Sequence, residues 1–417
     1  MPATFRLPNL IPESYRSLLF YCFIILLIYC ADGIMSYVAP VFIEDKVANS
    51  LIMGIVLASS SVVGITCDTL FPTIFKAKQH LFFLWNTVAV AVMFPLSFLL
   101  LPHILPSFFV AMAIWGIYFE FLVFSNFYFI HAFVKKDHYP RAWGIVGFFQ
   151  SIGLLAAPLL ASHFLHQSQA RPLYAAVLFL FFALIQIMIF KKVFPYHHQT
   201  VEKEEVKKDS NFLKELVIWK VLLKKVWPVY IFVFTLFVLE SAFLTVGVLL
   251  SEQMQESSIW GTFLLSAYIL PALFTGTIVE KICRLAGQKR TAFVSGLIAG
   301  CLLTISNYVT EPLLFITVVF ISSFFTSLAL PAVLGAVQDY VGRLEEHGKD
   351  MVGLQNSAAS LAYIIGPILA GGLATSVGNK STIAVVGGLL LIVSVINLIV
   401  VPRKIRLPQE EIEQVAG

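Results

Sequence analysis

Charge is scarce in this chain. Only 12% of its 417 residues are Asp, Glu, Lys or Arg, where an average soluble domain carries about 25%, and the mean hydropathy is +0.87. That composition cannot furnish a water-facing surface on all sides, so an integral membrane protein is expected rather than a soluble domain. Cysteine is scarce too. The five (Cys22, Cys30, Cys67, Cys283, Cys301) lie inside or beside apolar runs, which offers no disulfide framework and no metal-ligand spacing. No metal site and no cofactor are expected. Catalytic signatures are missing as well: there is no G-x-S-x-G, H-E-x-x-H, phosphate-binding loop or paired-cysteine motif, and no polar stretch is long enough to house an enzyme domain. The chain is not expected to be an enzyme. Its pI near 8.7 is no nucleic-acid signal, because the basic residues are sorted by loop and form no stripe.

Long apolar runs are what the sequence has in abundance. A window of about 19 residues picks out twelve, at 17–43, 49–72, 80–101, 106–134, 142–164, 172–195, 228–251, 258–280, 289–309, 311–338, 352–376 and 382–402. Each is long enough to cross a bilayer as a helix, about 20 residues at 1.5 Å rise. The first outruns a signal-peptide core and has no small-residue cleavage site close behind it, so it is expected to remain as a span. Very short proline-containing links join the third to the fourth span and the ninth to the tenth, which predicts tight hairpins. The one long polar break is 196–227. Its second half sets Lys214, Lys220, Lys224 and Lys225 against Leu213, Leu216, Val217, Leu223 and Trp227, the pattern of an amphipathic helix lying at a membrane surface. The expected domains are therefore a six-helix bundle over 1–195, a linker over 196–227 and a second six-helix bundle with a short tail over 228–417.

Basic residues sort by side. Only three of the 28 Lys and Arg residues, Lys46, Arg171 and Lys380, fall in the links opposite the N-terminus. By the positive-inside rule both termini and the 196–227 linker belong in the cytoplasm of a multi-pass cell-membrane protein. No Lys or Arg stands in the interior of a span. Acids do: Asp32 in the first span, Glu120 in the fourth and Glu240 in the seventh. An ionisable residue inside a span costs roughly 2.5–3.5 kcal/mol on insertion scales and is a functional group by default. The competing bland reading is a neutral acid that only ties helices together.

An internal repeat runs through the chain. Gly144, Gly153, Ala157-Pro158 and Ala161 recur as Gly353, Ala362, Gly366-Pro367 and Ala370-Gly371 at one offset, and Asp32 and Glu240 are separated by almost the same interval. Links after the second and eighth spans echo each other: Gly64-x3-Asp68 with Lys76 and Lys78, and Gly276-x3-Glu280-Lys281 with Gly287, Lys289 and Arg290. Two parallel halves of six helices follow.

On these motifs the chain resembles the major facilitator superfamily over nearly its whole length. The Gly/Pro series at Gly144, Gly153 and Pro158, and again at Gly353, Gly366 and Pro367, resembles that family's antiporter motif, with Ala157 where glycine is usual. Small residues at such spacing let helices approach backbone to backbone, which serves plain packing and gating equally. The links resemble the family's cytoplasmic acid–base latch; the second copy keeps its parts, and the first departs from it at Thr69 and Pro72. The resemblance implies an all-α fold of twelve spans in two bundles about a midplane cavity lined by the first, fourth, seventh and tenth spans, and a monomer. Asp32, Glu120 and Glu240 then become proton-coupling candidates, since an apolar cavity disfavours an ionised carboxyl and lets it load and release a proton as access alternates.

Tyr29, Ser36, Asn126, Gln150, Tyr268, Ser323, Thr326, Gln355, Asn356 and Tyr363 are the candidate cavity residues, each of which singly is as well explained by helix-to-helix hydrogen bonding. His131 reads as interfacial. An anionic substrate is disfavoured for want of an Arg or Lys clamp. The expected function is proton-coupled transport of a neutral or cationic, hydrophobic small molecule, with export favoured. Departures in the fourth span, which lacks the arginine usual in drug/proton antiporters, keep open a proton symporter for a sugar or other neutral nutrient. From a different class, a non-transporting membrane scaffold or receptor is the alternative. The expected partners are the substrate, protons and the lipid bilayer.

Overall fold

The computed structural model describes residues 13–75, 80–134, 139–194, 212–344 and 348–402. Among the described residues twelve helical rods run back and forth: α1 (Glu13–Val47), α2 (Ser50–Ile74), α3 (His80–Leu100), α4 (Leu105–Phe133), α5 (Tyr139–Leu165) and α6 (Arg171–Val193). The second six are α7 (Phe212–Ala242, continued through the π-helical turn Phe243–Gly247 into Val248–Gln255), α8 (Ile259–Phe263, Leu264–Ile269 and Ala272–Ala286), α9 (Gln288–Ser306), α10 (Pro312–Arg343), α11 (Gly348–Val377) and α12 (Asn379–Val400). Among the described residues, eleven helices are long and apolar enough to cross a membrane. The twelfth rod, α9, opens on Gln288, Lys289, Arg290 and Thr291 and packs between α10 and α12. Helices are the only open-ended answer to lipid, because every backbone N–H and C=O must find its partner inside the segment.

The links are short for identifiable reasons. Asn49 caps α2, its side chain accepting from the Ile52 amide at 3.1 Å, and Glu311 caps α10 in the same way. Gly287 and Gly378 carry φ of +84° and +85°, a region that other residues enter only at a cost, so α8 turns into α9 and α11 into α12 over one residue. Lys76, Lys78 and the first half of the linker, 196–211, lie outside the described residues.

The amphipathic stretch differs from its sequence reading. Phe212–Trp227 is helical, but it is the continuous start of α7 and not a separate surface helix. Its buried stripe is Ile218, Leu222 and Val226, while Val217 and Trp227 are exposed. The stripe continues at helical spacing, in steps of three and four, past Pro228 into Val229 and Val233, so packing against the second half wins over lying flat on lipid. Trp219 from this extension fills the space beside Gly353 of α11, where an added Cβ would stand 2.8 Å from the indole.

Among the described residues two large apolar cores result, with a small aromatic cluster of Phe71, Phe83 and Phe121 beside the first. One gathers buried residues of α1–α6, from Leu18 to Phe190; the other gathers α7–α12, from Ile218 to Val393. Val248 and Leu249 of α7 and Leu265 of α8 are exceptions that bury themselves in the first core. They lie toward the end of the bundle opposite the chain termini, here termed the far end; the other is the terminal end. At the far end α2 packs along α11. Toward the terminal end, Gly144 and Gly147 of α5 and Gly276 of α8 have nothing within 4 Å where a side chain would begin.

Candidate functional site

The three spanning acids occupy three different places. Glu240, half-buried in α7, lies where the halves meet. The Tyr363 hydroxyl of α11 donates to its carboxylate, and Tyr268 of α8 is within electrostatic range. Tyr29 of α1 faces Tyr363 from the first half. Aromatic faces back the cluster: Tyr268 stacks on Phe243 with centroids 4.0 Å apart, and Phe237 lies 6.0 Å from Tyr363. The π-helical turn follows Glu240 by three residues, and such insertions in helices recur at functional sites. Ser323 holds Tyr268 in place by donating to its carbonyl, and Thr326 donates to the Ser323 carbonyl at 3.0 Å. Ser323 and Thr326 therefore brace the site from α10 by donating their hydroxyls to backbone carbonyls.

Asp32 is elsewhere. It is 7% exposed, and one carboxylate oxygen accepts from both Trp115 Nε1, at 2.9 Å, and the Tyr118 hydroxyl of α4. Beside it is a narrow cavity walled by Ile28, Ala31, Met35, Ala91, Phe94 and Leu180, with room for a single water. With Trp115 and Tyr118 these residues belong to α1, α3, α4 and α6, so the carboxyl faces the interior of the first half and not the space it was expected to share with Glu240. Asp32 lies within electrostatic range of Tyr29, one turn back on α1, while the adjoining side of the helix, at Tyr29 and Gly33, is taken by α5, against Gly153 and Ala157.

Glu120 is half-buried on α4 and faces α2, where its carboxylate abuts Gly64 and lies within electrostatic range of Asp68. A side chain at 64 would meet Glu120 Oε1 at 3.2 Å. This acid and Asp68, assigned from the sequence to separate functions, thus form one group on the wall of the first half.

Asn126 corrects a second expectation. It is 4% exposed, and its side-chain oxygen accepts from Tyr21 at 2.8 Å, with Ser125 on the same hydroxyl at 3.0 Å. Tyr21 stacks on Phe129, so this is closed packing between α1 and α4. Ser36, Gln150 and Gln355 are half-buried, and Asn356 and His131 are exposed.

The motif glycines divide by task. A Cβ added at Gly153 would stand 2.9 Å from Tyr29 Cβ, and one added at Gly366 would stand 2.7 Å from Ser241; each glycine joins helices within its own half. Pro158 and Pro367 are buried within α5 and α11. Of the second latch motif, Glu280 pairs with Arg284 one turn along its own helix, with both side chains exposed, while Lys281 and Arg290 point outward. Lys289 donates to the Pro402 carbonyl at 2.6 Å.

Several residues that join the halves went unnoticed in the sequence. Tyr37 of α1 hydrogen-bonds with Ser251 at 3.2 Å and donates to Glu252. Gln255 accepts from Ser162 at 2.6 Å, contacts His166 at 2.7 Å and donates to Tyr37 at 3.1 Å. The signal was weak: Glu252 and Gln255 fall just beyond the edge of an apolar span, where polar residues are ordinary.

Membrane-crossing helices in two halves, joined at one end and holding an acid beside tyrosines between them, make the architecture of a transporter and not of an enzyme. The sequence profile of the Major Facilitator Superfamily matches residues 125–306 and 260–416, well over half the chain, and the protein belongs to that family. No curated protein matches the chain in sequence. Among solved structures, the nucleoside transporter NupG aligns over 92% of this chain and 98% of its own, with TM-score 0.72 and 12% identity. A peptide transporter POT in complex with sulfate aligns over 93% and 94%, with TM-score 0.72 and 12% identity. The human organic anion transporter MFSD10 aligns over 93% and 100%, with TM-score 0.62 and 14% identity. At such identities these structures establish the fold alone.

Proposed function

We propose that this protein is a proton-coupled secondary transporter that works by alternating access and exports a neutral or cationic, hydrophobic small organic molecule. The observation that carries the reading is Glu240: a carboxylate between the halves that accepts from Tyr363 and lies within electrostatic range of Tyr268, with Tyr29 near Tyr363 from the first half, in spans whose interiors hold no Lys or Arg. A carboxylate among aromatic faces favours a cation with an apolar body, and an anion would find no clamp there. Export rests on the antiporter-type series of α5. Asp32 and Glu120, in the wall of the first half, are the proton carriers in this scheme, with Glu240 meeting substrate charge or a proton. The two bundles, 1–195 and 228–417, rock about the site, and 196–227 connects them. The sorting of the basic residues supports a cytoplasmic terminal end, and with that orientation the joined far end corresponds to an inward-facing state.

Purified protein in proteoliposomes, with ethidium as probe, tests the proposal. A lumen more acidic than the bath should drive ethidium inward in exchange for protons. Accumulation under the opposite gradient would identify symport, and indifference to the gradient would remove proton coupling. Glu240→Gln should lower ethidium flux about tenfold or more, the equivalent of one charge-assisted contact of roughly 1.5–3 kcal/mol.

A further inference from the structure

The seventh span is longer than a bilayer is thick. It runs Val217–Gln255, 39 residues, about 58 Å at 1.5 Å per residue, against about 40–45 Å for a bilayer with its headgroups. At the far end, Leu250 is the last apolar residue before Ser251 and Glu252. Counted back from there, about 20 residues fill a hydrocarbon core of ~30 Å and end near Ile231. The turns before it, from Val217 to Trp227, therefore stand at the depth of the lipid headgroups on the terminal side.

Those turns present one outward face. Val217, Lys220, Lys224, Trp227 and Ile231 are exposed in steps of three and four, with exposed Lys225 on the flank, which is the spacing of a single helix face. On the other side Ile218, Leu222 and Val226 are buried in the second core. The outward face changes character along its length: lysines first, then tryptophan, then isoleucine. That is the order of headgroup, interface and hydrocarbon. No Asp or Glu occurs from Leu216 to Leu239, and among the described residues none of the three lysines is in an ion pair. A lysine stem can lie along apolar surface while its amine reaches a lipid phosphate.

The same stretch is fastened to α11. Half-buried Trp219 stands beside Gly353, and the Tyr230 hydroxyl lies 3.2 Å from the Ser357 hydroxyl. Further along α11, Tyr363 donates to Glu240.

We propose that Lys220, Lys224, Lys225 and Trp227 form a binding face for anionic phospholipid headgroups of the terminal-side leaflet, and that Trp219 passes this anchorage to the start of α11. Charge and depth together fix the occupant. The amines stand where the phosphates of anionic lipids gather, and the indole stands at the level that tryptophan favours in a bilayer. A helix held upright in this way fixes the position from which α11 begins, and that position then depends on the charge of the leaflet.

Native mass spectrometry of the full chain, equilibrated with equal amounts of anionic POPG and zwitterionic POPC, needs neither substrate nor gradient. Its result is thus separate from the proposed transport activity. The wild type should retain POPG over POPC, and Lys220→Gln/Lys224→Gln should lower that preference about tenfold or more. Lys220→Arg/Lys224→Arg should keep it. Lys191→Gln/Lys192→Gln, which removes as many exposed charges from the end of α6, should leave most of it. In nanodiscs, hydrogen–deuterium exchange over 351–357 should be slower in POPG than in POPC for the wild type, and Trp219→Leu should abolish that difference while retaining POPG. An equal loss from the Lys191 and Lys192 pair would overturn the headgroup face, as would displacement of POPG by inorganic phosphate. A lipid-dependent exchange difference that survives Trp219→Leu would overturn the link to α11. The lysines replaced are all exposed, so both cores stay intact in the variants that decide the lipid face.

Discussion

Substituting Asp32 separates two roles that its position combines. The side-chain amide introduced by Asp32→Asn keeps an oxygen where Trp115 and Tyr118 donate, so the packing of α1 on α4 survives and stability should change by less than about 1 kcal/mol. Asp32→Ala removes the acceptor and leaves two buried donors unsatisfied, each at roughly 1–3 kcal/mol, so a loss of about 2–6 kcal/mol is expected. Titratability, in contrast, is lost in both. Gradient-driven ethidium accumulation in proteoliposomes should therefore collapse in both variants, and the thermal midpoint in detergent should fall only in Asp32→Ala. Full accumulation by Asp32→Asn would reduce the acid to a helix-packing residue. An Asp32→Ala protein as stable as the Asn variant would show that its two donors find other partners.

The Trp219–Gly353 contact predicts a coupled pair. Gly353→Ala should cost about 1–3 kcal/mol by pressing on the indole, and the cost should shrink by about 1 kcal/mol or more in a Trp219→Leu background; additive effects on the unfolding midpoint would contradict the contact. Tyr21→Phe strips the hydrogen bonds to Asn126 and Ser125. It should lower stability by roughly 1–3 kcal/mol while leaving ethidium flux per folded molecule unchanged, and a fall in flux without a fall in stability would return Asn126 to the transport path.

Much of the architecture was legible in the residues. Hydropathy located the helices, glycine and proline marked their turns, and the repeat of the Gly/Pro series exposed the two halves. Glu240, Tyr29, Tyr268 and Tyr363 all stand out in the sequence, though nothing there says that they converge. Reading failed where the question was which way a helix is turned. Asp32 and Asn126 point into the first half, Ser323 and Thr326 spend their hydroxyls on backbone carbonyls, and the Phe212–Trp227 stripe was assigned the wrong face.

The chain's order of apolar and charged residues thus determined by itself that it spans a membrane, how often, with which side basic and with acids but no bases at depth. Burying apolar side chains in lipid decides those matters one segment at a time. Rotation of each helix, the meeting of Glu240 with tyrosines from α8 and α11, and the closure of the far end were decided only by the tertiary structure. A span that is apolar all round carries no stripe to tell cavity from neighbour from lipid, so its facing is set by the shapes of the helices it packs against.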